Sequence, residues 1–378
     1  MRSSGGSRQG PSSRTAEAGD HVARSTSIRD VAAEAGVSIT TVSHALSGKG
    51  TVSARTRLRV EEAVERLGYA PNPIARAMRT DRRAVLGFVS EEIASTPYAG
   101  KIIVGAQAEA AAHDHVLMIV DIAAGEFDDP RIDALIQRQV DAVVFASASN
   151  RVIRLPRSLD PARTVLLDAF DPAAPVPSVV PDEQDIAATA VRALLEAGHR
   201  RIAHLTVEGA GPAVTGRVEG YERTLVQAGR TPVVVRAAGE VADAAAGHRA
   251  ATELFGPTPS QAADAHAGER PTAVFAFNDQ MAMGVYQVAE ERGMRIGRDL
   301  SVVGIDDLQI VAAALRPGLT TVALPHEQMG RAAVRRALEQ TGALTAPQAP
   351  QTPRAGVERL RGELVVRGSI GPVTVTRS

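Results

Sequence analysis

The run Ile39-Thr-Thr-Val-Ser-His-Ala-Leu46 gathers three hydroxyls and an imidazole around apolar residues at helical spacing. Wound as a helix, it turns Val42, Ala45 and Leu46 inward and leaves Ile39, Thr40, Ser43, His44 and Ser47 outward. Short hydrogen-bonding side chains near a helix N-terminus can approach base edges, and hydroxyls together with the helix end can hold phosphates. That is chemistry of recognition rather than turnover. Patterns for turnover are weak by comparison. Gly209-Ala-Gly211 follows an apolar run, but Pro212 and a missing third glycine break the dinucleotide fingerprint, and no P-loop lysine pattern occurs. The absence of cysteine excludes disulfides, cysteine zinc sites and thiol nucleophiles. His199 and His204, five apart, fit a loop contact and a strand residue better than a metal pair. Asp306-Asp307 at a strand end could hold sugar hydroxyls as readily as do chemistry. No catalytic constellation, cofactor site or metal site is therefore expected, and an α/β enzyme carrying a regulatory headpiece is the weakest reading.

The elements needed to present that hydroxyl face are legible on either side of it. Ser27-Ile-Arg-Asp30 has the form of a capping box and starts a helix that Gly36 must end. Ser38 is placed to cap the hydroxyl-bearing helix, so two short helices flank a tight turn. A third helix begins near Ser53, buries Val60, Ala63, Val64 and Leu67, and stops at Gly68. Arg55, Arg57 and Arg59 crowd its first turns against the helix dipole, a placement that nearby phosphates would explain. Charge points the same way. Residues 1–83 carry 14 Lys and Arg against 8 Asp and Glu, whereas the rest carry 28 against 35, so the front is suited to a polyanion and the remainder is not. Residues 1–24 are too poor in large apolar side chains to offset their ordering entropy and are expected to form a disordered tail. No export signal or membrane span is readable, which favours a cytoplasmic location.

These residues carry a resemblance. Ile28-Arg-Asp-Val-Ala-x-x-Ala-Gly-Val-Ser-x-x-Thr-Val-Ser43, then Val52-Ser53, Gly68-Tyr69 and Pro71-Asn72-x-x-Ala75-Arg76, closely resemble the DNA-binding headpiece of the LacI/GalR family of bacterial repressors. The resemblance implies base-reading roles for Ile39, Thr40 and His44 and backbone-contacting roles for Ser38, Thr41, Ser43 and Ser47. His44 stands where most relatives have Arg, which removes a bidentate contact to guanine and implies an altered operator preference. Residues 72–81 resemble the family's hinge helix. Met78 would take the place of the leucine that wedges into the minor groove, flanked by the phosphate-seeking charge of Arg76 and Arg79.

After Arg83 short apolar runs alternate with amphipathic stretches, as in βαβ units with a mainly parallel sheet. Strands are expected at 84–89, 116–120, 142–146, 164–167, 201–206, 272–277 and 300–305, and 258–270 reads as an exposed loop. So many units favour an α/β fold of two doubly wound lobes with a cleft between them, spanning 82–371 behind a headpiece at 25–71. The resemblance continues through Gly198-His-Arg200, Arg217-x-x-Gly220-Tyr221, Asn278-Asp-x-Met-Ala-x-Gly284 and Val303-Gly-Ile-Asp-Asp307, and implies a periplasmic-binding-protein-like, effector-binding domain.

Carried over position by position, it puts Glu91, Asp168, Arg217, Asn278 and Asp306 in the effector pocket; carboxylates, an amide and a guanidinium fork can each engage adjacent hydroxyls. Val241 replaces an aromatic common among relatives, Glu183 replaces an Asn, and Tyr98, Phe170 or Phe277 would have to supply any stacking surface. A sugar or sugar derivative is expected first, with a polyol, a nucleobase or a cationic metabolite drawn by Glu91 left open. The whole reads as an expected repressor: a homodimer on a pseudo-palindromic, double-stranded operator, switched by a small molecule, with no membrane partner. The alternative is a solute-binding receptor of periplasmic type, which has no use for residues 25–80.

Overall fold

A computed structural model of the chain describes residues 26–47, 52–68, 85–94, 100–256, 270–344 and 356–373. The expected tail, the hinge segment 72–81 with Arg76 and Met78, Tyr98 and nearly all of the 258–270 loop lie outside the described residues. The chain divides into two compact units, 1–72 and 73–378.

In the first unit, Ser27 starts α1 (Ile28–Ala35) through the expected capping box: the Ser27 backbone N–H donates to the Asp30 carboxylate over 2.8 Å. Gly36 then takes a left-handed turn at φ 60° and ends the helix. Ser38 accepts from the Thr41 backbone N–H at 3.1 Å and opens α2 (Ile39–Ser47). Ser53 does the same for Thr56 at the head of α3 (Ala54–Leu67), which Gly68 closes in the left-handed region. Val31, Ala32, Ala35, Val42, Ala45, Val60 and Ala63 form the shared core. Helices this short are marginal in isolation, so this common core holds them.

The second unit is built from two six-stranded sheets. In the first lobe, β1 (Val85–Glu91), β2 (Val116–Ile122), β3 (Val143–Val152), β4 (Thr164–Phe170) and β5 (Ser178–Pro181) pair in parallel, with helices α4 (Gly100–Ala112) and α5 (Pro130–Gln137) between them. The chain then enters the second lobe through α6 (Glu183–Glu196). There β6 (Ile202–Val207), α7 (Pro212–Gln227), β7 (Val233–Ala237), α8 (Ala244–Phe255), β8 (Ala273–Ala276), α9 (Asp279–Glu291), β9 (Ser301–Ile305), α10 (Gln309–Ala312) and β10 (Thr320–Ala323) follow in order. Helix α11 (His326–Gln340) returns to the first lobe and packs on α4. Strand β11 (Val357–Leu360) then joins the edge of the first sheet beside β5, and β12 (Glu363–Val365) pairs antiparallel with β10 in the second. The chain thus passes between the lobes three times, at 181–183, 323–326 and 360–363.

All seven expected strands form, with their ends shifted by a residue or a few. β3 is the largest extension, running on to Val152 past an irregularity in its pairing with β4.

Candidate functional site

On α2 the described geometry presents Ser38, Ile39, Thr40 and His44 at the surface, with Thr41 and Ser43 half-buried. Ile39 is 39% exposed, an apolar side chain left outside by a helix whose Val42 and Ala45 are buried. The Ser38 and Thr41 hydroxyls bond each other at 2.8 Å, which fixes both at the helix N-terminus, where backbone N–H groups and the helix dipole favour an anion. Ser47 ends the helix. The expectation for Arg59 needs correction: its guanidinium donates to the Ala35 carbonyl and reaches that of Gly36 at 3.5 Å, so it caps α1 from within the unit. That leaves Arg55 and Arg57, both exposed, as the early α3 cations facing solvent.

In the second unit, residues at or just beyond the ends of β3, β4, β8 and β9 gather around Arg217, carried by α7 and buried at 4% exposure. Its Nε donates to Glu183 Oε2 at 2.8 Å, one of its terminal nitrogens donates to the Phe277 carbonyl at 2.7 Å, and its carbon lies 4.3 Å from the centre of the Phe277 ring. From the first lobe, Asn150 Nδ2 on β3 donates to Glu183 Oε1 at 3.4 Å, so the same carboxylate ties both lobes together. Glycine makes this approach possible: a Cβ on Gly216 would sit 2.7 Å from the Glu183 Cβ, and one on Gly220 2.4 Å from the Gln184 carbonyl oxygen.

Asp168, at the end of β4, and Asp306, after β9, lie within electrostatic reach of this pair. Both hold left-handed backbone, at φ 54° and φ 115°, conformations that side-chain-bearing residues rarely adopt and that concentrate at functional sites. Burial above all, then the charges of Glu183 and Asp306, hold the Asp168 carboxyl well above the usual carboxylate range against the pull of Arg217. Burial likewise pushes Asp306 up to about 7, with Arg217 opposing and Glu183 adding to the rise. Arg217 responds in the opposite sense. Burial disfavours its charge, but Glu183, Asp306 and Asp168 more than offset this and strengthen its hold on the proton. Beneath Asp306, the fully buried Asp279 accepts from the Thr321 hydroxyl at 2.6 Å and the Leu308 N–H at 2.8 Å.

Three of the five expected pocket residues are thus brought together: Asp168, Arg217 and Asp306. Asn278 caps α9, accepting from the Met281 N–H at 2.8 Å and donating to the Ala242 carbonyl at 2.9 Å, so both ends of its amide are engaged. Glu91 accepts from the Gly125 N–H at 2.7 Å and the Ser147 hydroxyl at 2.9 Å and is ion-paired with Arg151. Val241 is 71% exposed, and Phe277 is the aromatic that meets the guanidinium. Asn150 had no sequence signal, since an Asn-Arg pair at a strand end is unremarkable. His199 bridges Thr272, Ser301 and the Gly371 carbonyl, and His204 stacks on Phe275 at 4.3 Å with its pKa lowered by burial to about 3, so both are internal supports.

Comparison with known proteins places both units. The profile described as "Bacterial regulatory proteins, lacI family" matches residues 27–72, and that of a periplasmic binding protein-like domain matches 191–370. The chain is similar to the HTH-type transcriptional repressor CytR of Escherichia coli K12, 31% identical over 90% of this chain and 95% of the relative. Among solved structures, it superposes on a transcriptional regulator CelR–cellobiose complex with a TM-score of 0.58 and 28% identity, covering 91% of this chain and 99% of that one. The lac repressor dimer bound to operator and the anti-inducer ONPF shares the fold at a TM-score of 0.67 and 24% identity, over 92% of this chain and 99% of that one.

Proposed function

Because this chain belongs to the lacI family of bacterial regulatory proteins, we propose that it is a transcriptional repressor that reads an operator through α2 and is switched by a small molecule held around Arg217. The observation that carries the switch is the bridge between lobes. Asn150 and Asp168 come from the first lobe and Glu183, Arg217 and Asp306 from the second, so a molecule inserted among them must choose a lobe arrangement. A ligand that prefers one arrangement shifts the population, and with it whatever that arrangement does to operator affinity.

In this reading Ile39, Thr40 and His44 face base edges, and Ser38, Thr41, Ser43 and Ser47 face the DNA backbone. Arg76 and Met78 continue the contact through the hinge, with Met78 as the apolar wedge. Two copies of the chain meet a two-fold symmetric site, since one headpiece covers little DNA and a symmetric dimer matches a palindrome. Its partner being DNA, the protein works in the cytoplasm; no described helix is long and apolar enough to cross a membrane. The effector is a sugar or sugar derivative, consistent with the cellobiose bound by the similar CelR and with carboxylates and a guanidinium that engage adjacent hydroxyls. Glu91, held by Gly125, Ser147 and Arg151, and Asn278, held by Met281 and Ala242, border this pocket. In this reading the described residues of the pocket bind and switch rather than carry out turnover.

Selection of bound duplexes from a randomised DNA pool tests the DNA half of the proposal. The expected product is an inverted repeat, and His44→Arg should change base preference at one position in each half-site. Enrichment of no symmetric site would refute it.

A further inference from the structure

The charge around Arg217 is out of balance. Three carboxylates, Asp168, Glu183 and Asp306, sit within electrostatic reach of this one guanidinium, and Glu183 alone forms a direct ion pair with it. The other nearby cations of the described residues are committed elsewhere: Arg151 to Glu91, and Arg367 to Asp307 at 2.7 Å. Hydrogen bonding is unbalanced in the same direction. Asp168 Oδ1 and Asn150 Oδ1 are buried acceptors without a donor among the described residues, on side chains only 4% and 8% exposed. Buried polar atoms without partners are rare and carry a desolvation penalty. A neutral hydroxyl brings one donor and two acceptor sites, whereas an ammonium brings three donors, no acceptor and a compensating charge.

We propose that the effector is a hydroxylated amine, such as an amino sugar, whose ammonium seats between Asp168 and Asp306 while its hydroxyls meet Arg217 and Asn150. This rests on reading the Arg217 cluster as the effector site, and it narrows the ligand class within that reading. The attraction comes from the Asp168–Asp306 pair rather than from Glu91, whose oxygens already hold Gly125, Ser147 and Arg151. The elevated proton affinity of Asp168 and Asp306 fits the same picture, since carboxylates crowded without a cation keep their protons and release them to one.

The test is calorimetric binding to the full-length protein of matched pairs: D-glucosamine against N-acetyl-D-glucosamine and D-glucose, D-galactosamine against its N-acetyl and parent forms, and ethanolamine against ethylene glycol. Operator affinity is measured in parallel. The amine member of a pair should bind at least about tenfold more tightly than its neutral partners, a difference of about 1.4 kcal/mol. The preference of the amine over its matched neutral partners should collapse in Asp168→Asn and in Asp306→Asn, with the circular-dichroism spectrum retained. Equal binding of amine and neutral members, binding by neutral members alone, or an amine preference that survives both substitutions overturns the proposal. If neutral sugars bind and move operator affinity without any amine preference, the effector-site reading stands and only the charge assignment falls. If no member binds or moves operator affinity, both fall.

Discussion

At Asp306 a carboxylate with a pKa near 7 sits on a left-handed backbone, and this has a consequence for stability as a function of pH. The folded state holds a proton between about pH 4 and 7 that the unfolded chain has released, so its contribution is full below about pH 4 and is lost as pH rises through 7. Asp306→Asn keeps a residue that tolerates positive φ and removes the titration. In urea unfolding the variant should gain on the parent by about 1–2 kcal/mol on going from about pH 5 to pH 8; this is below the full value for such a shift because Asp306 keeps a partly exposed edge. An unchanged difference across that range would exclude the elevated pKa. Arg217 behaves differently, because its removal strands Glu183. Arg217→Ala should cost about 3–5 kcal/mol, and adding Glu183→Gln should recover part of that; a strictly additive double variant would contradict the pairing. Residue types and family resemblance were enough to bring Asp168, Arg217 and Asp306 to notice. They could not reveal that Glu91 is consumed by Arg151, because a neighbour across a strand end is a property of folding rather than of spacing.

Between helices, contact distance rather than propensity decides which residues fit. Gly105 of α4 and Gly330 of α11 face each other's backbones: a Cβ at Gly105 would lie 2.0 Å from the Glu327 carbonyl oxygen, and one at Gly330 2.1 Å from that of Ile102. Glycine to alanine inside a helix ordinarily stabilises by about 1 kcal/mol, but forcing packed helices apart costs about 1–3 kcal/mol, and here the backbone is what must move. Gly330→Ala should therefore lower the urea midpoint, and a raised midpoint would show that the helices are not in contact as described. The same physics separates the strands that were legible from those that were not. β1, β4, β6 and β9 are apolar runs and announce themselves. β11 reads Val-Glu-Arg-Leu with alternate residues exposed, and β10 begins with two buried threonines, so neither has a local signature. The pairing of β11 with β5 and of β12 with β10 is set by the return crossings of the chain between lobes, which no window of sequence contains. In the small unit the capping residues Ser27, Ser38 and Ser53 and the stops Gly36 and Gly68 were all readable, because caps are local chemistry.

For the whole molecule, the basic front and acidic remainder divide the work between a polyanion and a small ligand. Binding through phosphates must weaken steeply with salt, because each neutralised phosphate releases counterions, whereas contacts at base edges confer the preference for one sequence over another. In the proposed mechanism a single equilibrium joins these: a molecule held between Asn150, Asp168, Glu183, Arg217 and Asp306 would bias the lobes, and the lobes the grip on DNA. The most direct test is a fluorescence-anisotropy titration of the purified full-length protein against its selected symmetric duplex and a scrambled control, at two salt concentrations, with and without a ligand that calorimetry places in the cleft. The account predicts a salt-sensitive preference for the symmetric duplex that the ligand shifts several-fold in either direction. Equal affinity for both duplexes, or a symmetric-site affinity that no cleft-bound ligand moves, would contradict it.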